Sequence, residues 1–436
     1  MLSGLVGIFS MVVVSGVWGE SLFLVVLMSG LMVMSSSDSL VWKAGLSGEL
    51  DYVSWSLSLL SFWVVFLAIL GSKAVKKVSS LRGVFVGLSM SLLGLFLASF
   101  YVSDFMFFYL GFESCLIPIF FLVLGWGYQP ERSGAGVYML FYTLLGSLPL
   151  FFLILSFYSK NGGYMAVVSE FSESVFFIFL VGAFLVKFPM YSVHLWLLKA
   201  HVEAPVAGSM ILAGVMLKLG GYGLIRFLPV CPVKPVLLAE IIMSLSMWGA
   251  VLLSLSCLRQ MDMKLLIASS SVVHMGLCIV GLLALSDWGF KGALVVMIGH
   301  GLCSSGLFYL ANVVYERSHS RSMAVSKGFL ALMPSMCLWW FMLLSVNMAA
   351  PPSLNLLGEI FLISTLMSWS SYMLGVVGLM SFFSAGYSLY LFSLSQHGVY
   401  LNSKSGFHSG SVLEYLICAS HWVPVNVIIL CVVWLV

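Results

Sequence analysis

The sequence predicts an all-α polytopic membrane protein of about fourteen transmembrane helices, with two inverted five-helix repeats and broken helices 7 and 12. Three observations carry this expectation. Hydrophobic residues make up 61% of the chain, charged residues 8%, and the mean hydropathy is +1.11, a balance that no water-soluble core of 436 residues explains. Apolar runs of about twenty residues, the length that crosses a bilayer, recur along the whole chain. In lipid every backbone polar group must be paired within the protein, so runs of this length span as helices.

Taken in order, the runs lie near 3–19, 21–36, 54–72, 83–102, 104–124, 137–158, 174–198 and 205–227, then 236–257, 264–285, 289–314, 328–366, 370–392 and 413–436. The second is short and the twelfth is long and interrupted. Charge checks the count. Loops after odd-numbered spans hold Lys73, Lys76, Lys77, Arg82, Arg132, Lys199, Arg259, Lys264, Arg317, Arg321, Lys327 and Lys404, 12 of the 19 basic residues. The other side holds five: Lys43, Lys160, Arg226, Lys234 and Lys291. A miscounted span would scramble this alternation, so the odd loops face the compartment of synthesis and both termini the far side.

The net charge of +3 is too small to suggest a nucleic-acid partner, and KAVKKVSSLR, the densest basic run, reads as a loop. The eight cysteines form no C-x-x-C pair and mostly fall inside apolar runs, as small core residues do. The first apolar run leads straight into a second, with no basic start or small-residue cleavage site, so no cleavable leader is expected.

The seventh span carries Lys187-Phe188-Pro189 in its middle, and the twelfth carries Ala350-Pro351-Pro352 before LNLLGEIFLIST. Proline removes a backbone donor and clashes with the preceding turn, so both helices should break there. Grouped as spans four to eight and nine to thirteen, each broken helix is fourth in a set of five, and an odd number inverts the second set. Broken helices at matching places in inverted repeats mark ion pathways near the midplane. The domains expected are an N-terminal three-helix region (1–82), a first repeat (83–227), an inverted repeat (236–392) and a final helix with its loop (393–436).

Four ionisable residues fall mid-span: Glu113, Lys187, Lys218 and Glu359. A charge at the bilayer centre costs about 2.5–3.5 kcal/mol on insertion scales, so such residues usually serve ion movement. Lysines can also snorkel, but Lys218 lies some ten residues from either end of its run. Glu113 and Lys187 could pair across helices. His274 and His300 sit in apolar spans ten and eleven, and His194 follows Lys187 by seven residues, on the same face if the helix recovers after Pro189. Histidine titrates near neutral pH and suits a proton relay, although a lone one can simply cap a backbone carbonyl. His201 and Glu203 in KAHVEAP read as a loop between spans, where they serve either as a structural polar cap or in the site. Gly220, Gly221 and Gly223 suit close helix approach. No metal-ligand spacing, dinucleotide fingerprint, P-loop or quinone signature is present.

Residues 112–143, 187–223, 258–276, 300–321 and 351–360 together resemble the chain 4 family of mitochondrial NADH:ubiquinone oxidoreductase, respiratory complex I. The resemblance implies a fourteen-helix antiporter-like fold that moves protons across the mitochondrial inner membrane. Glu113 and Lys187 would be a charge-switching pair, Lys218 the central relay and Glu359 the link toward the exit; sister chains carry lysine at that last place. His274 lies in the family's SSxxHMG motif and His300 in HGLxSS. NADH, FMN, iron–sulfur clusters and ubiquinone would be bound by other subunits and none by this chain. Partners would be the other membrane-arm subunits, notably chains 2 and 5, and lipid. Odd loops would face the matrix and both termini the intermembrane space. Leu198 stands where the family usually has proline, and Ser269 where it has an aromatic; the first hundred residues resemble it in little beyond hydropathy. Competing expectations are a subunit of a multisubunit cation/proton antiporter, which shares the charged axis, and a membrane subunit that moves no protons.

Overall fold

The structure is a computed structural model that describes residues 18–34, 42–43, 49–78, 81–161, 174–230, 236–399 and 409–434. The first predicted span, apart from its last two residues, lies outside these residues, as do Lys234 and Lys404 of the charge tally. The chain opens with α1 (Trp18–Met34), followed by a short antiparallel ladder of β1 (Trp42–Lys43) and β2 (Glu49–Leu50). Then come α2 (Tyr52–Gly71), α3 (Lys73–Val78), α4 (Arg82–Tyr101), α5 (Phe105–Ser114), α6 (Leu116–Trp126), α7 (Arg132–Asn161) and α8 (Ser174–Lys187). After a 3-10 turn at Tyr191–Val193 come α9 (Leu195–Glu203), α10 (Val206–Ile211), a π turn at Leu212–Met216, and α11 (Leu217–Phe227). The remainder is α12 (Val236–Cys257), α13 (Met263–Leu283), α14 (Asp287–Ser318), α15 (Phe329–Leu332), α16 (Pro334–Asn347), α17 (Leu354–Trp369), α18 (Met373–Gln396) and α19 (Val412–Val427).

Each predicted span that falls on described residues is matched by a helix or a broken run of helices. Among the described residues, ten helical segments are long and apolar enough to cross a bilayer, and three more are apolar but shorter. Both expected breaks occur. The seventh span stops at Lys187, just before Pro189, and resumes at Leu195. The twelfth stops at Asn347 and resumes at Leu354, where the Ser353 hydroxyl caps the new helix by accepting from the Leu356 amide. A further interruption falls at Cys115, between α5 and α6. Pro118, in the first turn of α6, has no N–H to give the Ser114 carbonyl, so the ladder loosens one residue after Glu113.

The chain forms two compact units: residues 1–188 with 203–239, and residues 189–202 with 240–436. In the first, an aromatic core joins the helices that bear its charges. Phe184 packs 5.5 Å from Phe112 and 5.0 Å from Phe227, and Phe105 lies 4.7 Å from Phe227, ring centre to ring centre. Arg226, assigned above to a loop, is on α11: it pairs with Asp51 at 2.5 Å and donates to the Tyr222 hydroxyl at 3.0 Å. In the second unit, α14 is buried along its membrane-length window and packs on α13, α17 and α19.

Candidate proton-relay site

In the first unit Lys187 ends α8 with its side chain 2% exposed. Its ammonium lies 3.8 Å from Glu113 Oε1, 3.2 Å from the centre of the Phe112 ring, and donates to the Phe112 carbonyl. The break after Lys187 makes this possible, because the chain turns away where an unbroken helix would continue. Glu113 is 15% exposed, and no hydrogen bond from a described residue reaches either carboxylate oxygen. Its negative charge therefore rests chiefly on Lys187.

Lys218 is fully buried, one residue into α11, just after the π turn. At the end of that turn the Leu217 amide bonds back five residues to Leu212. When the ladder returns to four-residue spacing, one carbonyl is skipped. That carbonyl is Ala213's, and the Lys218 ammonium donates to it at 2.5 Å. The local backbone thus provides an acceptor for a cation that lipid would not. Gly220 and Gly223 bring α11 against α8: a β-carbon at Gly220 would meet the Phe188 amide nitrogen at 2.8 Å, and one at Gly223 would strike the Phe184 ring. This realises the close approach expected of Gly220 and Gly223.

In the second unit His274 Nδ1 lies 3.5 Å from Glu359 Oε1, and its Nε2 lies 3.5 Å from the Tyr387 hydroxyl. The His300 ring is 5.6 Å from that of His274. Both histidines are essentially buried. A carboxylate, two imidazoles and a phenol thus stand within one or two proton hops of each other. Tyr387 was missed by sequence reasoning, because a tyrosine in an apolar span carries no signal of its partner.

Three expectations need correction. The helix does not recover its register after Pro189, so the shared face of Lys187 and His194 does not exist; His194 instead closes the 3-10 turn, its Nδ1 on the Tyr191 carbonyl. His201 and Glu203 are not in a loop but on α9, both buried, with His201 stacked 4.6 Å from Phe308. Lys264, counted as a loop charge, is buried in the first turn of α13. Leu198 continues α9, and the Ser269 hydroxyl bonds back to the Leu265 carbonyl and meets Cys257 Sγ at 3.0 Å.

Residues 102–384 match the family model described as NADH:quinone oxidoreductase/Mrp antiporter, TM, and residues 1–100 match that of NADH-ubiquinone oxidoreductase chain 4, amino terminus. The second match corrects the view that the first hundred residues resemble the family only in hydropathy. NADH-ubiquinone oxidoreductase chain 4 of Ceratitis capitata is 50% identical over 392 residues, and that of Aedes aegypti 50% identical over 396, each alignment covering 88% of both chains. Among solved structures, a chain of respiratory complex I from Thermus thermophilus superposes with a TM-score of 0.86 at 22% identity, covering 98% of this chain and 95% of that one. A chain of the Mrp complex from Dietzia gives 0.84 at 19% identity, covering 98% of this chain and 50% of that one.

Proposed function

The chain belongs to the NADH-ubiquinone oxidoreductase chain 4 family, and from that membership we propose that its buried charges are the stations of a proton relay. It is a multi-pass membrane subunit of the proton-translocating NADH:ubiquinone oxidoreductase, respiratory complex I, of the mitochondrial kind. The observation that carries the relay is that each unit buries a carboxylate against a basic partner at membrane depth: Glu113 with Lys187, and Glu359 with His274.

A lysine held in an apolar core keeps its proton while a carboxylate stands beside it. Protonating Glu113 would remove that support, and Lys187 would release its proton. Lys218, whose ammonium has a backbone acceptor supplied by the π turn, serves as the central relay. His274 and His300 exchange protons with Glu359, which leads toward the exit. His194 holds the turn between two half-helices and acts less directly. NADH, FMN, iron–sulfur clusters and ubiquinone belong to other subunits, and chains 2 and 5 are the neighbours of this one. The odd loops face the matrix, and both termini face the intermembrane space.

The likeness to the Mrp chain supports a second reading, a subunit of a cation/proton antiporter. The two part on a native gel of inner membrane solubilised in mild detergent, stained for NADH dehydrogenase activity, with peptides of this chain followed by mass spectrometry. Co-migration with the stained band is expected; a smaller unstained assembly would move the reading to the antiporter. Lys218→Met is expected to abolish coupled pumping and to slow NADH oxidation in a complex that still assembles. Full pumping by that variant would end the relay role and leave a purely structural subunit.

A further inference from the structure

Within the second unit, three buried side chains outside the relay each hold a hydrogen-bond acceptor with no partner among the described residues: Asn355 Oδ1, Asn347 Oδ1 and His421 Nε2, on residues 2%, 3% and 0% exposed. Asn355 and His421 border one face of α14, and helical spacing aligns Asn347 with them. Asn355 Oδ1 sits where a β-carbon of Gly299 would be, and His421 packs on Gly306, its ring 3.2 Å from where that residue's β-carbon would be. Leu343 covers the same glycine, and Asn347 is one turn further along α16 on Leu343's face. Gly299 to Gly306 is about 10 Å of helix. The seam has two neighbours at its ends. Asn355 lies one turn before Glu359 on α17, and His421 lies two turns after Glu414 on α19, where Glu414 pairs with Arg317 at 2.8 Å. Arg317 is in the last turn of α14, at the end that leads into the loop after the eleventh span.

The chemistry of the seam specifies its occupant. The Asn355 amide nitrogen is committed to the Val346 carbonyl at 3.0 Å, which leaves its oxygen as the open group. His421 Nδ1 faces the Ile417 carbonyl at 2.8 Å. A carbonyl only accepts, so in the neutral ring Nδ1 bears the hydrogen and Nε2 a lone pair. No donor from a described residue reaches any of the three acceptors. Water, with two O–H groups and a need for two to four polar partners, is the donor that fits a buried polar seam.

We propose that Asn355, Asn347 and His421 line a water file that branches from the Glu359–His274 pair and opens at the Arg317–Glu414 pair, with His421 as a further proton station. This rests on the proton-relay reading of the site. His421 Nε2 takes the excess proton from a hydronium in the file: the N–H bond forms as the O–H bond breaks, leaving water and an imidazolium. The same nitrogen then gives the proton to the next water, which becomes hydronium, while Nδ1–H stays on the Ile417 carbonyl.

The test uses the assembled complex in inner-membrane vesicles, with NADH-driven formation of a pH gradient as the readout and Lys218→Met as reference. In His421→Gln, which keeps a polar side chain but cannot cycle a proton, gradient formation is expected to fall about tenfold in complex that runs at normal size on a native gel. Asn347→Leu, close in volume and dry, is expected to act in the same direction and decides the matter should His421→Gln fail to assemble. A high-resolution map of the unaltered complex should show ordered water beside Asn347 and His421. Wild-type gradients in both variants, with Lys218→Met inactive, would overturn this branch alone. Wild-type gradients in Lys218→Met as well would overturn the relay reading itself.

Discussion

Lys187 is enclosed by the Phe112 ring and carbonyl, and the Glu113 carboxylate is the acid that meets it. Removing one member of a buried ion pair strands the other, at a cost of about 3–5 kcal/mol. Glu113→Gln alone should therefore lower the amount of assembled complex as well as stop pumping. Adding Lys187→Met should recover assembly without recovering pumping, because no charge is then left unpaired. Quantitative native gels of the two single variants and the double measure this; purely additive losses of assembly would show that the residues do not act as a pair. The sequence displays these residues plainly, since a charge amid apolar neighbours is conspicuous one position at a time. Glu113 and Lys187 are also legible as a possible pair, whereas the partners of Glu359 are not. Nothing near Glu359 points to His274, 85 residues earlier (359 less 274), or to Tyr387 beyond it.

At the scale of helices, proline is readable and register is not. Pro189 and the Pro351-Pro352 pair announce breaks because their ring chemistry forbids an intact ladder whatever surrounds them. The π turn at Leu212–Met216 is built of ordinary helix-compatible residues, and no local signal foretells it, yet it supplies the Ala213 carbonyl that holds Lys218. The glycines of α11 lie between these cases: their spacing suggests close packing, and the structure supplies the surface they meet. Gly220→Val should reduce assembled complex severely, since the obstacle is backbone at Phe188. Gly182→Ala, with nothing within 4 Å of the added carbon, should leave assembly unchanged on the same gel. Equal loss in both would remove the contact with Phe188 as the cause.

For the whole molecule, the distribution of lysine and arginine along the sequence predicts orientation. With Lys264 and Arg226 moved onto helices, the tally of 12 against five becomes 11 against four, and both termini are still expected on the side away from synthesis. A C-terminal epitope should be cut by an impermeant protease in mitoplasts with an intact inner membrane. Protection until that membrane is opened would reverse the orientation. The spans are recoverable from sequence because insertion into lipid responds to the summed hydropathy of about twenty consecutive residues, a local property.

What the sequence determined by itself was therefore what lipid reads segment by segment: the order of the spans that fall on described residues, the two proline breaks, and four charges within apolar spans. The sequence also suggested that Glu113 could pair with Lys187, and the two meet at 3.8 Å. Tertiary structure alone decided the other meetings: Glu359 finds His274, and Asn355 and His421 come to one face of α14. It also placed residues 189–202, the far half of the broken seventh span, in a different compact unit from the helix that leads into them. The physical reason is range. Hydropathy and proline geometry act within a turn or a span, whereas an ion pair or a seam of acceptors depends on helices far apart in the chain being packed side by side.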